Sequence, residues 1–231
     1  LALGQSFFAL SVGVSVMVTY ASYLSKKEDI TKSAFSVVGL NIFISLLAGL
    51  VIFPAVFALG FSPSSGPGLV FVVLPAVFNE MALGGIFMFI FFILLLFATL
   101  TTAFSILEIV VAAMIKGDAA KRKKASWIAG ITVFLIGIPS ALSFGVLSDV
   151  KIFNLSIFDF ADYLTSNIAL PVGALFISLF IGYQMKRIEV QKEFESGADS
   201  GRSLFKLWYF LIRYIVPIMI ILVFLKSTNL I

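Results

Sequence analysis

The stretch "QSFFALSVGVSVMVTY", residues 5–20, is apolar enough to begin a membrane-spanning helix, yet Ser11, Gly13 and Ser15 lie at its centre. A helix that faces lipid along its whole length favours Leu and Ile at such positions. Inside a bilayer, an interrupted backbone persists only where it is buried in protein or lines a cavity. The pattern therefore predicts either a broken helix, whose released amides and carbonyls can bind ligands, or close helix packing by small residues.

The composition around this stretch is that of a membrane protein. The 231-residue chain is 61% hydrophobic and 12% charged, whereas soluble domains are about half apolar and about a quarter charged. We therefore expect an all-α integral membrane protein that forms a single transmembrane domain over residues 1–231. A span needs roughly 20 apolar residues, and the uncharged stretches, divided at turn-forming residues, predict six. They cover, approximately, residues 4–24, 34–59, 84–115, 126–147, 160–185 and 204–228.

The longest uncharged stretch is divided by "FSPSSGPG", residues 61–68, in which Pro63 and Pro67 break the helical pattern. The segment that follows, "LVFVVLPAVFN" at residues 69–79, is too short to cross a bilayer. It is typical of a re-entrant or interfacial segment.

The chain contains no cysteine and no histidine. Disulfides, Cys or His metal sites and His-based catalytic triads are therefore excluded from it. No pair of nucleophile and base replaces them, which disfavours an integral membrane enzyme. The chain starts at Leu1 without the features of a signal peptide, so we expect a portion of a longer polypeptide.

The placement of the basic residues indicates the orientation in the membrane. The net charge is +4, and thirteen of the sixteen Lys and Arg residues fall in alternate loops, on one side of the predicted spans. Basic residues concentrate on the cytoplasmic side of membrane proteins, so we assign this side to the cytoplasm. The run "KRKK" at residues 121–124 fits this topology, although such a run also suits nucleic acid or anionic lipid.

Uncharged polar side chains recur inside the predicted spans. Asn41 and Ser45 are four residues apart and share a helix face, where they form a polar cluster if Gln5 lies nearby. Interhelical hydrogen bonding is the alternative role for such residues.

The third predicted span places three oxygen-bearing groups on one face. Ala98, Thr101 and Thr102 follow the i, i+3, i+4 spacing, which brings one carbonyl and two hydroxyls together. Hard cations prefer such oxygen ligands. The alternative is that each hydroxyl donates a hydrogen bond to its own helix.

Three carboxylates fall within or at the end of the predicted spans. Placing the Glu108 carboxylate inside a bilayer costs free energy, so we expect Glu108 to be either a functional residue or the partner of Arg213 in a structural ion pair. Asp159 and Asp162 lie at the outer end of the fifth span, where Asp159 suits a helix cap and Asp162 an external gate.

Six motifs resemble, in order, those of the neurotransmitter:sodium symporter family, and in particular its bacterial amino-acid transporters with eleven helices. They are "GQSFFALSVGVSVMVTYASYLSK", "GLNIFISLLAGLVIFPAVFALG", "GPGLVFVVLPAVF", "FATLTTAFSILE", "FDFADYLTSN" and "RYIVPI". The resemblance implies the second inverted repeat of a LeuT-type fold plus one further helix, with a broken first span. It also implies that the first five helices of the family are missing.

The resemblance further implies an amino-acid site lined by the unwound first span and the third span. The matching positions are Phe8, as an aromatic lid over the substrate, and Ser11, Val14, Thr102 and Ile106. Val14 replaces a larger side chain of some relatives, so we expect a bulky apolar or aromatic amino acid.

Two sodium sites are implied by the same resemblance. The first maps onto the carbonyl of Ala9, where the family often has a hydroxyl residue, and onto the side chain of Asn41. The second maps onto the Ala98 carbonyl and the hydroxyls of Thr101 and Thr102. Each site is completed by the missing N-terminal half.

The remaining implied sites concern chloride and the external gate. Gln5, Asn41 and Ser45 match chloride-binding positions, and the absence of a carboxylate there makes chloride a candidate source of compensating negative charge. Asp162 matches the external gate acid, and residues 69–78 match an extracellular lid.

The expected function is sodium-coupled symport of a neutral, hydrophobic or aromatic, L-amino acid across the plasma membrane by alternating access, without covalent chemistry. The alternative is a transport-inactive membrane sensor or assembly subunit that keeps the fold. The expected partners are the amino acid, sodium ions, the lipid bilayer and the missing half of the transporter, with no nucleic acid.

Overall fold

The computed structural model describes residues 2–25, 28–60, 66–195 and 202–228, and helices dominate these ranges. The predicted positions Lys26, Lys27 and Pro63 lie outside the described residues. The helices are α1 (Ala2–Ala9), α2 (Val16–Ala21), α3 (Ile30–Ala58), α4 (Leu69–Asn79), α5 (Gly84–Ile115), α6 (Arg122–Leu142), α7 (Ile157–Gln184), α8 (Arg187–Glu195) and α9 (residues 202–227). Strands β1 (Lys151–Ile152) and β2 (Leu155–Ser156) form an antiparallel hairpin before α7.

Several helices contain a π-helical segment or are preceded by a 3₁₀ turn. One-turn 3₁₀ helices at Val12–Val14 and Ala119–Lys121 precede α2 and α6. Helix α4 opens with π-helix at Leu69–Val73, and α9 contains π-helix at Leu211–Ile215. Helix α7 has two such segments, which are Leu164–Ala169 and Phe180–Gln184.

Five helical segments are long and apolar enough to cross a membrane, and they confirm the predicted multi-pass architecture among the described residues. They are Ile30–Ala58, Gly84–Ile115, Ala119–Leu142, Ile157–Gln184 and Leu204–Ser227. The first predicted span is not among them because it is divided into α1 and α2, each too short to cross alone. Segment Leu69–Asn79 forms a short apolar helix, as its length required.

The start of helix α6 was predicted too late from the composition of the sequence. The prediction began this span at residue 126, after the basic run, but the helix starts at Arg122 and ends at Leu142. Lys and Arg are good helix formers, so a basic run marks the edge of the bilayer and not the start of the helix.

The chain divides into two compact units. The first consists of Leu1–Phe35 and Ile106–Ile231. In it, α7 packs on α9, with Leu170, Ala174 and Ile220 buried. The Ser178 hydroxyl donates to the Ile212 carbonyl at 2.6 Å, within a π-helical turn that changes the partners of the backbone carbonyls.

The cytoplasmic end predicted for α7 and α9 has a small aromatic core of its own in the first unit. Val190 of α8 is buried against Phe205 and Tyr209 of α9, and the Tyr209 hydroxyl donates to the Gly182 carbonyl at 3.2 Å. Helix α8 was not predicted, because a charged nine-residue helix carries no membrane-spanning signal.

The second unit, Ser36–Ser105, contains most of α3, all of α4 and the first part of α5. Helix α4 packs on α5 through ring contacts, with centroids 5.9 Å apart for Phe71 and Phe92 and 5.7 Å apart for Phe78 and Phe91. Leu74 and Val77 of α4 are buried. These contacts hold the short helix against the start of a long span.

Candidate functional site

The first span is interrupted where its small residues lie. Helix α1 ends at Ala9, a single 3₁₀ turn follows, and α2 begins at Val16. Ser11 (φ 49°, ψ 37°) and Ser15 (φ 62°, ψ 16°) both adopt the left-handed conformation, which residues with a Cβ avoid. The backbone between Ala9 and Val16 therefore lies between the carbonyl end of α1 and the amide end of α2, whose terminal groups have no partner within their own helix.

Gly13 lies at the centre of the interruption, where the chain meets α7. A Cβ on Gly13 would overlap the Leu170 carbonyl, and a Cβ on Gly173 would overlap the Gly13 carbonyl. The two backbones are therefore in direct contact. The two alternatives left open by the sequence, a broken helix and close packing by a small residue, are both present at this one place.

The oxygens of Ala98, Thr101 and Thr102 meet on one face of α5. The Thr101 and Thr102 hydroxyls both donate to the Ala98 carbonyl, at 2.8 and 3.0 Å. This is the bonding within one helix that was the alternative interpretation. The two hydroxyl oxygens keep lone pairs that these bonds do not use, whereas the Ala98 carbonyl accepts from both hydroxyls.

Asn41 and Ser45 lie one turn apart on α3, which is unbroken at this point. The Ser45 side chain is exposed and Asn41 is half-buried. Gln5 and Ala9 belong to α1, in the first unit, whereas Asn41 and Ser45 belong to the second unit. Asn41 and Ser45 thus share one helix of the second unit, and Gln5 lies on a helix of the first unit.

The predicted substrate residues lie on the interrupted span and on α5. Phe8 is 53% exposed and Val14 is half-buried, on either side of Ser11. Ile106 is 48% exposed and follows Thr102 by four residues, so the two share a face of α5.

Glu108 is paired differently from the sequence prediction, which was wrong about Arg213. Glu108 accepts a hydrogen bond from the Tyr23 hydroxyl and one from the Arg122 guanidinium, each at 2.7 Å. Arg213 instead stacks on aromatic rings, with its guanidinium carbon 4.9 Å from the Tyr183 centroid. The prediction overlooked Arg122, which begins the next helix 14 residues after Glu108, and Tyr23, which follows α2.

The cluster of Tyr23, Glu108 and Arg122 ties the ends of α2, α5 and α6 together within the first unit. Sequence reasoning missed Tyr23 and Arg122. The topology offers the one signal that could have found them, because these residues lie near predicted span ends on the same side of the membrane.

The two outer carboxylates have separate partners. Ser156 caps α7 by accepting from the Asp159 amide at 3.0 Å, and its hydroxyl donates to the Asp159 carboxylate at 2.7 Å. Ser156 is therefore the N-cap residue of α7, and the Asp159 carboxylate in the first turn accepts from its hydroxyl and so fixes the cap. Asp162 accepts from the Ser166 hydroxyl at 3.0 Å, one turn further along α7.

Comparison with known proteins identifies the group to which these features belong. The profile of the sodium:neurotransmitter symporter family matches residues 1–230. The chain is 53% identical over 225 residues to the uncharacterized sodium-dependent transporter YhdH of Bacillus subtilis, covering 97% of this chain and 50% of that protein. It is 39% identical to an uncharacterized sodium-dependent transporter of Haemophilus influenzae, covering 97% of this chain and 49% of that protein.

A solved structure extends the comparison to the fold. The crystal structure of MhsT in complex with L-phenylalanine is similar with a TM-score of 0.89 and 46% identity, over 98% of this chain and 51% of that one. The expected LeuT-type, all-helical membrane fold is thereby confirmed. The chain spans about half the length of the relatives it matches. These relatives are transporters, which agrees with the expectation that the chain is not an enzyme.

Proposed function

The chain belongs to the sodium:neurotransmitter symporter family, and on that premise we propose that the protein performs sodium-coupled symport of a neutral, hydrophobic or aromatic L-amino acid. The interruption of the first span carries the proposal. The backbone leaves the helix at Ser11 and Ser15, and transporters with discontinuous helices bind their substrates at such interruptions. The sodium gradient supplies the energy, and alternating access moves the substrate across the plasma membrane.

The proposed amino-acid site takes its chemistry from both sides of the interruption. Phe8 covers the bound side chain, while Ser11 and Val14 line its pocket. Thr102 and Ile106 of α5 supply a further wall. The complex of MhsT with L-phenylalanine supports a bulky apolar or aromatic substrate for a chain 46% identical to it, and so does the small side chain at Val14.

Two sodium sites complete the proposal. The Ala98 carbonyl and the hydroxyls of Thr101 and Thr102 supply three oxygens to one site, in keeping with their 2.8 and 3.0 Å contacts. The Ala9 carbonyl and the Asn41 side chain supply the other. The remaining ligands come from the part of the relatives that this chain does not match.

Chloride is proposed as the counter-charge of the sodium site at Ala9 and Asn41. Gln5, Asn41 and Ser45 carry amide and hydroxyl donors without a carboxylate. A cation in this setting needs a nearby negative charge, and an anion held by these donors provides it. Uptake in chloride buffer should exceed uptake in gluconate buffer; equal rates would rule chloride out.

Asp162 is proposed as the acid of the external gate, and α4 as the extracellular lid. The Asp162 carboxylate uses one oxygen for Ser166 and keeps the other available for a cationic partner.

Sodium-dependent binding to the purified full-length protein tests this proposal. Labelled L-tryptophan and L-leucine are expected to bind in sodium and not in potassium, and Asn41→Ala or Thr102→Ala should weaken binding. A variant at Thr132, on an exposed stretch of α6, serves as the matched control. Binding that is indifferent to sodium would contradict the proposal, and sodium-dependent binding without accumulation in vesicles would favour the sensor.

A further inference from the structure

One face of α6 carries a shallow, open groove that the proposed transport sites do not use. The groove has a volume of about 860 Å³ and is lined at one end by Arg122 and Lys123. Trp127 and Gly130 line its middle, and Phe134 its far end. The lining residues are three and four apart, so they form one continuous stripe along the helix.

This stripe lies away from the side of α6 that is packed. Ala125 and Ala129 are buried against Val111 of α5. In contrast, Trp127 is 66% exposed and Phe134 is 69% exposed. Two large aromatic side chains thus stand on an outer face, separated by a glycine that leaves a notch between them.

The basic end of the groove has charge available for a ligand. Arg122 is engaged by Glu108, and Lys121 pairs with Asp118 at 2.9 Å. Lys123 and Lys124 have no carboxylate within ion-pair distance among the described residues. Four basic residues lie at the start of this helix, where the backbone dipole already favours an anion. Asp118 and Glu108 offset two of these charges, and Lys123 and Lys124 leave the local potential positive.

The length of the groove matches one leaflet of a bilayer. Arg122 and Phe134 are twelve residues apart on α6, which corresponds to about 18 Å along a helix. One leaflet of the hydrocarbon core is about 15 Å thick. Trp127 lies between the basic end and the apolar end, at the level where tryptophan meets the headgroup region.

We propose that this groove binds an anionic phospholipid of the cytoplasmic leaflet. The phosphate lies at Lys123 and Arg122, where the half-buried Ser126 hydroxyl donates a hydrogen bond to it. An acyl chain passes Trp127, lies in the notch at Gly130 and ends at Phe134. Positive charge at the cytoplasmic end, a tryptophan at the interface and an apolar notch below it together favour a lipid with a negative headgroup over a zwitterionic one.

Quenching of Trp127 fluorescence by brominated lipid tests the proposal without relying on transport. The full-length protein is reconstituted in phosphatidylcholine vesicles that contain a minor fraction of either brominated phosphatidylglycerol or brominated phosphatidylcholine. The signal of interest is the fluorescence that Trp127→Phe removes. We expect phosphatidylglycerol to be preferred about fivefold, the factor that one basic side chain contributes near an anionic surface.

Neighbouring residues provide matched controls. Lys123→Gln should abolish the preference, whereas Lys124→Gln, an identical charge change outside the groove lining, should keep most of it. Gly130→Leu should fill the notch and weaken quenching by either lipid, whereas Gly137→Leu should not. A Cβ at either glycine would meet no other atom within 4 Å, so both variants should fold.

Four results would overturn the proposal. Equal quenching by the two lipids would remove the headgroup preference, and equal loss in Lys123→Gln and Lys124→Gln would indicate only diffuse attraction. Loss of the preference on addition of inorganic phosphate would indicate a site for any phosphate. Failure of both lipids to quench Trp127 would indicate that another polypeptide surface, such as a second copy of the protein, covers the groove.

Discussion

Ser11 and Ser15 are the residues at which the first span leaves the helical conformation. Both lie in the left-handed region, where the Cβ crowds the backbone at a cost of about 1–2 kcal/mol per residue. The surrounding packing must outweigh this cost, since strained backbone persists only where neighbouring structure determines it. The backbone of the candidate site is therefore held by its contacts rather than by its own preference.

Substitution of Ser15 tests this strain. The Ser15 hydroxyl makes no side-chain hydrogen bond among the described residues, while its carbonyl accepts from Thr19. Ser15→Gly should be neutral or stabilising by up to about 1 kcal/mol, and Ser15→Val should destabilise by about 1–2 kcal/mol. Thermal unfolding of the purified protein measures both, and a glycine variant less stable than the valine variant would contradict the left-handed assignment.

Thr101 tests the proposed oxygen site on α5. Thr101→Val removes one hydroxyl from the group of three, so the sodium concentration for half-maximal binding should rise about tenfold, the usual loss for a polar contact with a charge. Thr99→Val is the control, because the Thr99 hydroxyl also donates to its own helix but lies on the opposite side from Thr101. Equal effects of the two variants would exclude a specific site.

At the scale of elements, composition was sufficient to predict that five long spans exist, although not every boundary. Helix α5 occupies the predicted residues 84–115 because a long uncharged apolar run has no other stable form in a bilayer. The interruption in the first span was predicted only as one of two alternatives. Local sequence shows small residues, but whether they break a helix or allow close packing depends on what lies opposite, here the backbone of α7 at Leu170 and Gly173.

The partners of charged residues could not be predicted in this way. Glu108 pairs with Arg122 and Tyr23, which are 14 and 85 residues away, and composition does not favour them over Arg213; only the predicted topology, which places them near span ends on one side of the membrane, indicates them. The π-helical turns of α7 and α9 were missed for the same reason. Carbonyls in these turns accept hydrogen bonds from side chains of another helix; the Ile212 carbonyl, for example, accepts from the Ser178 hydroxyl. No periodicity in the sequence predicts that pairing.

The contact between the interruption and α7 predicts a sharp effect of one methyl group. Gly13→Ala places a Cβ against the Leu170 backbone, which cannot rotate aside, so the protein should lose about 1–3 kcal/mol of stability or the two segments should separate. Gly39→Ala on α3 is the control, because nothing lies within 4 Å of its Cβ position. Unfolding midpoints of the two variants measure the difference; a Gly13→Ala variant as stable as Gly39→Ala would contradict the close approach.

At the scale of the whole molecule, the long helices α3 and α5 are apolar along their length, and no residue in their most apolar stretches is buried within the chain. Surfaces of this kind require lipid or other membrane segments as their surroundings. Family membership and the coverage of about half of each relative agree with this, because in the relatives further polypeptide accompanies the matched part.

Substrate choice is a property of the assembled site. With Val14 leaving room beside the interruption, excess L-tryptophan or L-leucine should reduce uptake of labelled L-phenylalanine by at least about tenfold. Glycine should compete weakly, because even one missing methylene in an apolar pocket is worth about 1–3 kcal/mol and glycine lacks the whole side chain. Competitive uptake by the full-length protein measures this order. A clear preference for glycine would contradict the proposed pocket.

Sodium-driven accumulation in proteoliposomes is the decisive test of sodium-coupled symport by this protein. The full-length protein is reconstituted, an inward sodium gradient is imposed, and labelled L-phenylalanine inside the vesicles is followed against a potassium control. We expect accumulation above the external concentration that collapses when an ionophore dissipates the sodium gradient. Uptake that only reaches equilibrium, or that is the same in potassium, would contradict sodium-coupled symport.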